Sequence, residues 1–126
     1  MTVRPYDAPG APSPGHYSSA VEVTGATRTV HVSGQVPVAE DGSVPEGFEA
    51  QMRLVFRHIE IQLAGAGLSL ADIVKFTSFL PRRENVADFR RIRTELLGSH
   101  RPASTLVHAE LIDPRWRLEV EVIAAR

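Results

Sequence analysis

The chain contains no cysteine, one lysine and one tryptophan among its 126 residues. Without cysteine there are no disulfides, no thiolate nucleophile, no CxxC redox motif and no cysteine-bearing zinc or iron–sulfur site. No apolar run approaches the roughly 18 residues that a membrane-spanning helix needs. Charge of one sign is also missing: 15 acids against 14 bases leave a formal net of −1. A chain-wide drive towards nucleic acid or a membrane surface is therefore not expected. Residues 1–15 carry Arg4, Asp7 and four prolines and have no apolar centre, which does not match a secretory signal. The expected location is the cytoplasm.

What is present is the composition of an ordinary globular chain, 43% hydrophobic and 23% charged. The length fits one domain over residues 1–126, which on folding buries about two thirds of the surface its unfolded chain exposes. Pro5, Pro9, Pro12 and Pro14 with Gly10 and Gly15 predict an irregular arm over 1–15. Gly25 divides two β-like runs, 20–24 and 29–33, which read as a hairpin. Phe48, Met52, Val55, Phe56, Ile59, Leu63 and Ala66 form one stripe of an α-helix, stopped by Gly65 and Gly67. Ser69 and Asp72 have the spacing of a capping box, and 73–80 reads as a strand. Val86, Phe89, Ile92 and Leu96 mark a second amphipathic helix; strands over 104–111 and 117–124 follow, separated by a turn at Asp113-Pro114.

The expected order is β-β-α-β-α-β-β, an α+β fold with a mixed sheet and two helices on one face. In the last strand Leu118, Val120 and Val122 point one way, and Glu119, Glu121 and Ile123 the other. The second face would expose Leu106 and Ile123 if left in water, so an oligomer covering it is expected. Glu121 would then be at least partly buried. It would serve either as a general acid/base with a pKa raised towards neutrality, or as a rim glutamate bonded to a neighbouring backbone.

Several motifs carry less. Gly65-Ala66-Gly67 begins like GxGxxG, but Leu70 occupies the third glycine position and the run ends a helix instead of opening one. The histidines, at 16, 31, 58, 100 and 108, have no HxxxH or HExxH spacing, so no metal site is expected. GxSxG is absent. Six arginines between positions 82 and 101 face three acids there, and with only Phe89 interleaved they read as a solvated helix face with pairs such as Arg91–Glu95.

Taken in order, Gly15-His16-Tyr17-Ser18, Val32-Ser33-Gly34-Gln35, Gln51, the run 63–75, Asp88-Phe89, Arg101-Pro102-Ala103 and Glu119-Val120-Glu121-Val122-Ile123-Ala124 resemble the RidA/YjgF family. The resemblance implies a chorismate-mutase-like homotrimer with small-molecule clefts between subunits. It implies hydrolysis of enamines and imines to 2-keto acids and ammonia, with no metal or organic cofactor. By position, Tyr17 would line the cleft, Ser33 would sit beside the ligand and Glu121 would position or activate water. Leu106 would help shape the cleft, with His108, Trp116 and the segment around Tyr17.

The departure is Ser104. The family's deaminases have at this place an arginine that grips the substrate carboxylate, which a hydroxyl cannot reproduce. That points away from simple 2-imino acids and towards a neutral or differently shaped substrate. Arg93, where the family's deaminases have a cleft asparagine, either carries the missing charge to another wall or points to solvent. Three functions stay open: a Rid-type hydrolase, a non-enzymatic trimer binding a metabolite, and RNA cleavage, for which the arginine cluster gives little support.

Overall fold

The computed structural model describes residues 1–126. Its elements run β1 (Thr2–Tyr6), β2 (Ala20–Thr24), β3 (Thr29–Gln35), α1 (Phe48–Ala64), β4 (Ile73–Leu80), α2 (Val86–Leu97), β5 (Ala103–His108) and β6 (Glu119–Ala125). Strands β3, β6, β4 and β5 form a mixed sheet in that order, antiparallel except for the β4–β5 pair. Strands β1 and β2 form a separate antiparallel pair.

The apolar periodicities account for the layering. The α1 stripe, Phe48, Met52, Val55, Phe56, Ile59 and Leu63, is buried and packs with Phe89 and Ile92 of α2. Both meet Phe76, Leu80, Val120, Val122 and Ala124 of the sheet in one apolar cluster. Helix α1 ends as its glycines require. Gly67 takes φ +74, Leu68 N–H bonds to Leu63 C=O and Gly67 N–H to Ala64 C=O, both at 2.9 Å. This left-handed stop leaves Leu68 buried in the cluster. The Ser69–Asp72 capping box is present: Asp72 accepts from Ser69 N at 2.8 Å, and Ser69 Oγ from Ala71 N at 3.3 Å.

Three expectations need correction. The first fifteen residues are not wholly irregular, because Thr2–Tyr6 pairs with β2 in register Thr2↔Thr24 to Tyr6↔Ala20. Pro5 is tolerated because every residue of β1 is exposed, so its missing N–H breaks no buried ladder. Consequently β2 and β3 do not form a hairpin: β2 is taken by β1, and β3 by β6. The third correction is one of parity. Ser78 of β4 pairs with Leu106, which places Leu106 on the helix side against the core, while Thr105 and Val107 share the open face with Thr77, Phe79, Glu121 and Ile123.

Gln51 ties the loops to the core. It is 2% exposed, its Nε2 donates to Pro45 O and Arg115 O at 3.0 Å each, and its Oε1 accepts from Arg117 N at 2.7 Å. Gln51→Leu keeps the volume but strands three backbone groups. It is expected to cost about 2–4 kcal/mol in urea unfolding. A cost below about 0.5 kcal/mol, the range of inert surface changes, would contradict this account.

Candidate functional site

On α2, adjacent arginines have opposite surroundings. Arg91 reaches Glu49 at 2.9 Å, Glu95 at 3.0 Å and Asp88 at 3.6 Å, and Arg53 of α1 bonds both Glu49 and Glu95. This confirms the Arg91–Glu95 pair and sets one flank of α2 against α1. Exposed pairs of this kind add little stability, but they fix which flank faces where. The other flank presents Arg90 and Arg93, three residues apart on one helix face.

Arg93 does not point to solvent. It is 5% exposed, and its Nη1 donates to Ser104 Oγ of β5 at a long 3.5 Å. Its guanidinium lies 5.8 Å from the Tyr17 ring centroid and 5.5 Å from that of Phe89. Nη2 is buried with no hydrogen-bond partner, and no carboxylate lies within ion-pair distance. Burial, and then the charges of Arg90 and Arg101, hold the Arg93 pKa below the usual arginine value despite the nearby Tyr17.

Two cavities meet at this side chain. An inner crevice of about 10 Å³, room for about one water, is lined by His16, Tyr17, Arg93, Arg101 and Ser104 among others. An outer groove of about 450 Å³ is formed by Tyr17, Arg90, Arg93, Ser104, Thr105 and Leu106. Neither contains an acid. The Tyr17 segment is held by Ser18, whose N–H donates to Pro102 O at 3.2 Å and whose Oγ donates to Arg101 O at 2.5 Å. Thus Tyr17, Arg93, Ser104 and Leu106 come together. His108 and Trp116 line neither cavity of the single chain; His108 Nδ1 accepts from Arg83 Nε at 3.2 Å.

Ser33 and Glu121 lie elsewhere, in a shallow groove of about 580 Å³ on the open sheet face with His31, Lys75 and Thr77. A bulge in β3, between Val32 and Gln35, sets Ser33 and Gly34 opposite Glu121. Lys75 is occupied by Thr105 Oγ1 at 2.6 Å, and Glu119 and Glu121 have no basic partner within 4.0 Å. Glu121 is exposed in the single chain. It faces away from the Arg93 side and stands two strands from β5, about 10 Å across the sheet.

His16, Arg90 and Arg101 were absent from the sequence-based site. The signal for Arg90 was available in its i, i+3 spacing to Arg93. No cluster of three or more His, Asp or Glu residues is arranged to hold a metal ion, and no helix is long and apolar enough to cross a membrane.

A half-covered mixed sheet, with helices on one side and an acid-free cationic pocket at its β5 edge, defines a small α+β protein class. A family model described as Endoribonuclease L-PSP matches residues 8–126. Escherichia coli TdcF, which carries the name of a reactive intermediate deaminase, is 30% identical over 123 residues, covering 94% of this chain and 92% of its own. Its crystal structure with bound serine superposes with a TM-score of 0.74 at 31% identity, over 94% of this chain and 93% of that one. The Rid-family protein YyfB of Yersinia pestis covers both chains completely, with a TM-score of 0.86 at 25% identity. The chain belongs to the RidA/YjgF (L-PSP) family.

Proposed function

We propose that the protein binds small carboxylates at Arg93 and hydrolyses an imine or enamine carrying one, within a homotrimer whose clefts lie between subunits. The observation that carries this reading is the buried guanidinium with a free Nη2. A desolvated cation without a counter-ion costs several kcal/mol, and an anion in the adjoining outer groove offsets that cost. Arg93 then replaces, from α2, the charge that the family's arginine supplies from the position of Ser104. The resulting substrate class is a 2-imino acid or its enamine, not the neutral compound that Ser104 alone pointed to.

Assembly is supported by complementary surfaces on one chain. The open face offers Glu119 and Glu121 without basic partners, and the β5 edge offers Arg90, Arg93 and Arg101 without acidic ones. A head-to-tail ring brings one surface against the other. It also covers Val107 and Ile123, and brings Glu121 of one copy towards Arg93 of the next. In the reaction, Arg93 holds the substrate carboxylate and Glu121 takes a proton from water as its oxygen bonds to the imine carbon. That proton passes to nitrogen to give the carbinolamine; Glu121 then carries the hydroxyl proton to the amine, the C=O forms as the C–N bond breaks, and a 2-keto acid and ammonia leave.

The experiment is ammonia release from 2-iminopropanoate generated in situ. Acceleration by the wild-type protein above the spontaneous rate is expected. Tight 2-oxobutyrate binding without acceleration would leave a metabolite-binding trimer and overturn the hydrolase.

Proton linkage gives a second check. Burial, and then repulsion by Arg93, Arg90 and Arg101, holds His16 below its ordinary pKa of about 6.5. An anion beside Arg93 relieves the repulsion and raises that pKa, so binding takes up a proton. Affinity for 2-oxobutyrate should therefore strengthen as pH falls through the His16 titration range. Following the imidazole by NMR, an unmoved His16 titration at saturating ligand would contradict the placement.

A further inference from the structure

We infer that the preferred substrate is a dianion, a 2-imino dicarboxylate of four or five carbons, with its second carboxylate on Arg90. The inference rests on the carboxylate reading of Arg93 and extends it by one charge. Three arginines, at 90, 93 and 101, line the two cavities that meet at Arg93, and none has an acid within 4.0 Å. The contrast within α2 makes this more than an average surface. Arg91, next in sequence, has three carboxylates within 3.6 Å.

A monocarboxylate would neutralise Arg93 and leave Arg90, on the outer groove, and Arg101, on the inner crevice, without a counter-charge. With the open face of an adjacent copy against them, Glu119 and Glu121 offset two of the four positive charges of Arg90, Arg93, Arg101 and Lys75, which leaves an excess of two. Arg90 and Arg93 share the wall of the outer groove, one helical turn apart. Their Cβ atoms are about 5–6 Å apart, so the two guanidinium groups can reach the two ends of a short dicarboxylic acid. Arg90 is exposed and flexible enough to close on the outer end, while Arg93 is fixed by Tyr17, Phe89 and Ser104. Leu106, in the same groove, faces the hydrocarbon between the two carboxylates. Such an imine arises by oxidation of an acidic amino acid, so an amino-acid-oxidising reaction would supply it.

The test is calorimetric titration of the full chain with 2-oxoglutarate and with its 5-methyl ester, which differs by one charge at nearly constant shape. The dianion should bind about fivefold more tightly, the upper end of what one exposed ion pair supplies. Arg90→Ala should bring that ratio close to one. Equal affinities in the wild type, or a preference that survives Arg90→Ala, would overturn the inference and leave the Arg93 reading standing. If the wild type binds neither compound nor 2-oxobutyrate, the carboxylate reading itself fails.

Discussion

Arg93→Met is expected to make the protein more stable and unable to hold its ligand. Arg93 is 5% exposed, has one long hydrogen bond and leaves Nη2 bare. Its contacts with the Tyr17 and Phe89 rings return only about 0.5–2 kcal/mol, less than the several kcal/mol that desolvating a guanidinium costs. Methionine has a similar length and no charge, so the free protein should gain on the order of 1–2 kcal/mol. For a chain of this size that is a rise in Tm of roughly 3–6 °C. Carboxylate binding should weaken by about 2–5 kcal/mol, or about 30-fold to several thousand-fold. The paired signs matter. A purely structural arginine would lower Tm when replaced and leave 2-oxobutyrate binding intact, and that outcome would contradict the assignment. Residues at binding sites commonly sacrifice stability in this way.

Glu121→Gln should do the reverse. The substitution is nearly isosteric, so folding should not change, and with one negative charge fewer in the cleft carboxylate affinity should not fall. Removing a positioned general base costs about 10²–10⁴-fold in turnover. The expected result is a kcat for imine hydrolysis lower by that factor, with 2-oxobutyrate bound at least as tightly as by the wild type. A kcat within a few-fold of wild type would make Glu121 the interface glutamate that its position in a β-strand equally allows.

Most of the layering was legible in the sequence, because long periodic segments leave little choice. The α1 stripe, β4 over Ile73–Leu80 and the alternation of Leu118, Val120 and Val122 all stand as read. The failures came where local pattern is degenerate. In β5 either set of alternating residues has one large aliphatic side chain, Leu106 or Val107, so the apolar side was ambiguous. The parallel register with β4, a long-range pairing, decides it. Prolines hid β1, because an exposed two-stranded edge tolerates what a central strand does not.

The candidate site divided in the same way. Tyr17, Arg93 and Ser104 converge, but they come from a loop, a helix and a strand, and only the fold brings them together. Arg93 sits beside Ile92 and one turn after Phe89, at the margin of the apolar stripe. From that position a side chain can turn outwards or fold over the sheet edge. The Glu49–Arg53–Arg91–Glu95 clasp resolves it by holding the opposite flank of α2 against α1. Ser33 and Glu121 come from the other side of the sheet, and no pattern within one chain unites them with Arg93.

That separation gives the most direct measurement. Arg93→Ala and Glu121→Ala proteins, each inactive in imine hydrolysis, are unfolded together, mixed in equal amounts and refolded. If each cleft takes Arg93 from one copy and Glu121 from the next, random assembly of head-to-tail rings restores both groups in about one quarter of the clefts. Recovery of about a quarter of the wild-type rate is the predicted result. A mixture as inactive as either parent, with subunit exchange verified by mass, would contradict a site shared between copies.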